Sequence, residues 1–313
     1  MNASTPDIAR PASAQAEWVQ RPERSNMSML RLMTWISLQL GRAPARVVLA
    51  GISLYFLAFA PSAKAASRTY LRRALGREPR LADLYRHFHS FASTIHDRVF
   101  LLNGRFDLFE LEVHGEDVIK EVLGAGRGAF LMGAHMGSFE VVRAIGRRQP
   151  DLRVGMVMYE DNARKINAAL AAINPAAVQE IIPLGQVDSM LQVQFALDDG
   201  TVLGVLGDRT LGGDPTVDVP FLGADAGFPL GPMRLAAMLK RPVLFMSGLY
   251  LGGNRYAIHF ERLADFSALE RAGRDAAIRT AVEAYAASLE RHCRAAPYNW
   301  FNFFDFWRPK DAG

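Results

Sequence analysis

Beyond its first third, the chain alternates short apolar runs with segments of helical periodicity. The apolar runs cover Leu108 to Val113, Gly128 to Ala134, Val154 to Tyr159, Glu180 to Pro183, Thr201 to Leu206, Val243 to Leu249 and Tyr256 to Phe260. Their lengths and flanking turn residues predict buried strands. Apolar positions at helical spacing predict helices at Glu140 to Arg147, Asn162 to Ile173, Val187 to Leu197, Gly231 to Leu239 and Ala276 to Cys293. This alternation predicts an α/β fold, a mostly parallel sheet flanked by helices. Active residues then belong at the carboxyl ends of strands. Upstream the pattern changes. Residues 1–27 are polar, with Pro, Ser and Ala, and read as disordered. Residues 28–62 read as a membrane-associating helical segment, and further helices at 64–102 open a domain that runs over 63–310.

The membrane reading rests on one run, Val47 to Ala60, which carries no charge. It is shorter than the roughly 20 residues of a full span. Arg42 and Arg46 precede it, and Lys64, Arg68, Arg72 and Arg73 follow. Positive charge on both sides suits a helix lying in or dipping into the cytoplasmic leaflet better than a clean crossing. The run starts too far from Met1 for a cleaved signal peptide. Met29 to Leu38 fits either a second interfacial helix or one packed on the core.

Composition adds bounds. The chain has 313 residues and 50% hydrophobic content, enough to bury one large core. Residues 1–80 carry 12 of the 36 Lys and Arg but 4 of the 32 Asp and Glu, a bias that suits an anionic membrane surface. Nucleic-acid recognition has no zinc spacing or basic-aromatic module behind it. The one cysteine, Cys293, permits no internal disulfide and reads as packing within a helix. His87, His89 and His96 lie on a predicted helix at spacings that do not converge on one metal, so no metal is expected.

Candidate chemistry concentrates at Gly133-Ala134-His135-Met136-Gly137-Ser138-Phe139-Glu140, where a strand gives way to a predicted helix. Within one helix, five steps of about 100° would leave His135 and Glu140 roughly 140° apart. With His135 on the turn, Glu140 can fold back onto one ring nitrogen and leave the other free as a base. Backbone N–H groups at Gly137-Ser138, read as a helix N-terminus, can hold an anionic oxygen. A histidine merely hydrogen-bonded beside a turn is the competing reading of the bare pair.

Gly-x-His-x-Gly-x-x-Glu at a strand end resembles the His-x4-Asp/Glu motif of glycerolipid and glycolipid acyltransferases, in particular the late acyltransferases of lipid A biosynthesis. Further blocks agree in order: Gly207-Asp208-Arg209, Val219 to Gly223, Phe228 to Ala236, and Pro297 to Phe301 through Phe306-Trp307. Ala134 stands where glycerol-phosphate acyltransferases carry Asn, and Gly-Asp-Arg-Thr replaces their Pro-Glu-Gly-Thr-Arg block. Ser138 stands where the lipid A branch commonly has Asn, and Phe306 where it has Arg before the closing Trp.

The resemblance implies an acyltransferase domain over 63–310 at the cytoplasmic face of the inner membrane, peripheral or held by a single helix. It implies an O-acyltransferase moving a fatty acyl chain from acyl carrier protein or coenzyme A to a hydroxyl of a lipid or glycolipid, without a cofactor. His135 is then the base and Glu140 its orienting carboxylate. Ser138 is a substrate-binding candidate. Arg209 is the candidate for binding phosphate or stabilising the oxyanion, with Asp208 holding it or positioning the acceptor. Arg164 and Arg234 are weaker candidates for a donor or head-group phosphate. A polyene or pigment lipid is an alternative acceptor, and a catalytically silent lipid-binding protein of the same fold an alternative function. Gly124 to Gly128 precedes a strand and reads as a turn, not a dinucleotide fingerprint. No Gly-x-Ser-x-Gly elbow is present.

Overall fold

The computed structural model describes residues 27–142, 152–175, 181–185, 188–210 and 214–307. Among the described residues four helices come first: α1 (Met27–Leu40), α2 (Arg42–Phe59), α3 (Pro61–Leu75) and α4 (Leu81–Leu102). Pro61 takes the first helical position of α3, where its missing N–H costs nothing. The alternating part follows as β1 (Glu110–His114), α5 (Glu116–Gly124), β2 (Phe130–Gly133), β3 (Val154–Tyr159), α6 (Glu160–Ile173), β4 (Ile181–Leu184), α7 (Ser189–Asp198) and β5 (Val202–Leu206). A hairpin, β6 (Thr216–Phe221) and β7 (Ala224–Pro229), precedes α8 (Gly231–Met238), β8 (Pro242–Gly252), β9 (Arg255–Asp265) and α9 (Arg274–Ala295).

Seven strands form one sheet in the order β1-β9-β8-β2-β5-β3-β4. The run from β8 to β4 is parallel, β9 returns antiparallel to β8, and β1 lies parallel to β9. The expected mostly parallel α/β sheet is therefore present. Successive residues of β2 point to opposite faces. Phe130 and Met132 join a core with Leu203, Phe245, Tyr285 and the β6–β7 hairpin. Leu131 faces a second core with Val202, Leu244, Tyr256 and the end of α4. Burying each such side chain is worth about 1.5–3 kcal/mol, so β2 is fixed from both sides and its carboxyl end is a rigid platform.

Each of the seven expected strands has its counterpart, with ends shifted by up to five residues. The β6–β7 hairpin went unread, although Val217, Val219 and Phe221 alternate with Asp218 and Pro220 and turn through Leu222 and Gly223, both at positive φ. The helix expected over Glu140 to Arg147 has only its start among the described residues, and residues 139–142 form turns there. Residue 180 and Val187, at the edges of two expected elements, and residues 1–26 lie outside the described residues.

Helix α2 buries Leu49, Ser53 and Leu57 against α4 at four-residue spacing. Its other face leaves Val47, Val48, Leu54, Tyr55, Phe56 and Phe59 exposed. Among the described residues it is the one helix long and apolar enough, by length and composition, to cross a membrane. Arg42 at its start pairs with buried Asp97 at 2.6 Å, and Tyr256 Oη–H donates to the same carboxylate at 2.8 Å. That pairing fastens the helix to the body.

Candidate active site

Parallel strands β2 and β5 align Gly133 with Leu206, so the residues just past each strand end become neighbours. Gly207 N–H donates to the Gly133 carbonyl at 3.0 Å and continues the ladder by one bond. Beyond it, His135 and Asp208 meet. His135 Nδ1–H donates to Asp208 Oδ1 at 2.8 Å, and the His135 backbone N–H donates to Oδ2 at 3.0 Å. Trp300 Nε1–H donates to that same Oδ2 at 2.9 Å. Asp208 and Trp300 are each 0% exposed, while the His135 side chain keeps 30% of its surface accessible. Because a carboxylate occupies Nδ1, the proton resides there and Nε2 carries the lone pair. Among the described residues no hydrogen bond occupies Nε2.

Electrostatics suit a base. Burial lowers the pKa of His135 below its ordinary value; Asp208 opposes that shift and Arg209 adds to it. The ring is thus neutral at neutral pH. Burial works against the Asp208 charge, but His135, its hydrogen bonds and Arg209 outweigh it and hold the carboxyl at about 2. A neutral imidazole bonded to a permanent carboxylate is what proton abstraction from a hydroxyl requires.

The carboxylate on the ring is not that of Glu140, and this corrects the expectation. At Gly137 the chain adopts φ 60, a left-handed conformation that glycine accepts without strain. Gly137 N–H donates to the Asn299 carbonyl at 2.9 Å, and Ser138 N–H to the Gly248 carbonyl at 2.8 Å. This reversal carries Glu140 away from His135 to Arg98, whose Nε lies 2.6 Å from Oε1. The approach lacks the alignment of a hydrogen bond, so it is an ion pair only. Ser138 Oγ–H donates to Glu140 Oε2 at 3.0 Å. Glu140 is 4% exposed and Ser138 2%, so together they pin the turn to α4. The same bonds use the Gly137 and Ser138 amides, which are therefore not the free anion donors of a helix N-terminus.

Arg209 stands beside the pair. Its Nε–H donates to Asn302 Oδ1 at 3.0 Å and an Nη2–H to the Phe301 carbonyl at 3.2 Å, with Phe304 below the guanidinium at 5.6 Å. Arg164 is exposed on α6 and Arg234 exposed on α8. Neither touches His135 or Asp208.

The C-terminal segment supplies what sequence reasoning missed. Phe301 N–H donates to the His135 carbonyl at 2.7 Å, and Tyr285 Oη–H to the Gly133 carbonyl at 2.8 Å. The Trp300 carbonyl accepts from His87 Nε2 at 2.8 Å, and His87 Nδ1 meets Ser67 Oγ at 2.8 Å. His87 is fully buried, which pushes its pKa down to about 4 and keeps it neutral. The signal for this support was the polar-aromatic run Asn299-Trp300-Phe301-Asn302, unusual for a core segment.

Among the described residues no group of three His, Cys, Asp or Glu is placed to hold a metal ion. Cys293 is buried beside Tyr70, and burial pushes its thiol far above the range of a usable nucleophile.

The family model described as bacterial lipid A biosynthesis acyltransferase matches residues 20–309. A comparison with curated proteins gives no match.

Proposed function

We propose that this chain, which belongs to the bacterial lipid A biosynthesis acyltransferase family, uses His135 as the general base of O-acyl transfer at a membrane surface. The family implies acyltransferase activity on lipid A-like substrates. In the proposed step, His135 Nε2 takes the proton of an acceptor hydroxyl on a lipid or glycolipid. The oxygen attacks the carbonyl carbon of an acyl thioester carried by acyl carrier protein or coenzyme A. A C–O bond forms and the carbonyl becomes a tetrahedral oxyanion. Collapse breaks the C–S bond, and the imidazolium returns its proton to the leaving thiolate. Asp208 keeps the ring in the Nδ1–H tautomer and stabilises the transient imidazolium. The Arg209 cation stabilises the oxyanion by its field. Glu140, held by Arg98 and Ser138, is assigned to fixing the turn that presents His135.

The observation that carries this reading is the 2.8 Å bond from His135 Nδ1 to fully buried Asp208, with Nε2 left open. Membrane contact is supported by the exposed apolar face of α2. The test is transfer of a labelled acyl group from a thioester to a panel of lipid hydroxyls by purified protein. His135→Ala lowers the rate by about 10²-fold or more at unchanged melting temperature. Wild-type turnover in that variant removes the base assignment, and mass spectrometry of the product names the acceptor.

A further inference from the structure

A cleft of about 540 Å³ opens between α2, α4 and the end of β8, with Arg46, Arg86, His89, Tyr250, Tyr298 and Asn299 on its walls. We propose that this cleft is a second binding site, which holds the phosphate group of an anionic membrane lipid.

Charge is the first argument. Among the described residues no Asp or Glu lines the cleft, and the carboxylate of buried Asp83 lies behind the Tyr298 hydroxyl. Among the described residues Arg46 bonds only neutral acceptors there, the Gly253 carbonyl at 2.7 Å and Tyr250 Oη at 3.0 Å. Arg86 lies over the Tyr298 ring at 5.9 Å. Among the described residues neither guanidinium has a carboxylate at ion-pair distance. Arg42, one turn before Arg46 on the same helix, is instead neutralised by Asp97 at 2.6 Å. The fold thus supplies an anion to one α2 arginine and leaves the next facing a cavity. Two guanidinium forks suit the oxygens of a phosphate; the phenol hydroxyls beside them are already used, Tyr298 Oη–H by Asp83 Oδ1 at 2.7 Å and Tyr250 Oη–H by the Gly253 carbonyl at 3.5 Å. His89 stands on the same wall with Nδ1 3.3 Å from Ser53 Oγ, its pKa lowered by burial and by Arg46.

The second argument is position. Arg46 is followed on α2 by exposed Val47, Val48, Tyr55, Phe56 and Phe59, so a phosphate in the cleft has acyl-compatible surface next to it. The cleft also touches the catalytic turn through one residue. Asn299 Oδ1 accepts from the Tyr250 N–H at 2.7 Å on the cleft wall, while its backbone carbonyl accepts from Gly137 at 2.9 Å. The site does not depend on the acyl-transfer reading, because it is read by binding alone.

The test is co-flotation of the full-length protein with phosphatidylcholine vesicles, with and without phosphatidic acid. Wild type binds the acidic vesicles more tightly, and millimolar inorganic phosphate does not release it. Arg86→Gln, an exposed change, weakens that preference about fivefold, and Arg46→Gln with Arg86→Gln by tenfold or more. Arg279→Gln, an equal loss of charge on the exposed side of α9, leaves it within about twofold. His135→Ala binds as wild type does. Unchanged affinity in Arg86→Gln and in the double variant overturns the site, as does an equal loss in Arg279→Gln. Release by inorganic phosphate, with phosphatidic acid giving no advantage, overturns the lipid as its occupant in favour of a soluble phosphate.

Discussion

Asp208→Asn isolates the contribution of the buried carboxylate, since it removes one charge and almost no volume. In the proposed step, His135 becomes an imidazolium bonded to Asp208 at 2.8 Å. With charge centres about 4 Å apart and an effective dielectric near 20, that attraction is about 4 kcal/mol, or roughly a 10³-fold effect on the rate. Asparagine also meets three N–H donors with one acceptor oxygen, because its amide nitrogen cannot accept from the His135 backbone or Trp300. That mismatch costs about 1–3 kcal/mol of stability. The assay is the pH dependence of kcat/KM in purified protein with a labelled acyl thioester. Asp208 raises the His135 pKa against burial, so its removal moves the acid limb to lower pH while the plateau falls about 10³-fold. A plateau within a few-fold of wild type, or an acid limb that stays in place, refutes the Asp208–His135 assignment.

Three further outcomes follow from the geometry. Glu140→Gln leaves the Arg98 guanidinium without its anion and lowers stability by about 1–3 kcal/mol, below the cost for a fully buried pair because Arg98 is a third exposed; it leaves the acid limb in place, and a shifted limb returns Glu140 to the ring. Gly248→Ala puts a methyl group into the Ser138 carbonyl and the Val141 side chain, so it displaces the turn that carries His135 and costs about 1–3 kcal/mol in chemical denaturation, whereas Gly253→Ala, with open space for a methyl but φ 64, costs about 1 kcal/mol and retains turnover. Burial holds His87 and His259 down to about 4, below the unfolded value near 6.5; the unfolded chain therefore binds more protons between those values, and stability present above about pH 6.5 is lost as pH falls towards 4. Denaturant titrations from neutral to acid pH measure that slope; His87→Gln flattens it, and an unchanged slope refutes the assignment.

The periodicities that made the sheet legible are local, and so is the evidence that placed His135 on a turn after β2. What stayed hidden is the pairing of separate strand ends. Asp208 was legible as a strand-end residue, but its bond to His135 depends on β2 lying beside β5, a neighbour relation that one strand's pattern does not carry. Glu140 misled because five-residue proximity favours a local partner, while the Gly137 reversal and the Gly248 contact turn it towards Arg98 on α4. Trp300 and Asn299 were visible as motif residues without roles, since their partners lie far back in the chain. The β6–β7 hairpin was missed for a different reason: its strands contain Pro220 and Gly227, residue types that weaken a strand reading even where the alternation is intact.

The bonds from residues 299–301 to the turn that carries His135 also have a consequence in time. A ribosome makes His135 and Asp208 long before it makes Asn299, Trp300 and Phe301, at about 5–20 residues per second. Until that late segment docks, Gly137 N–H lacks the Asn299 carbonyl and Asp208 lacks the Trp300 indole. On the proposed function, the nascent chain exposes the apolar face of α2 while the proposed base is still unassembled. Helix α2 is complete early in synthesis, whereas the arrangement around His135 is complete only when residues 299–301 have docked.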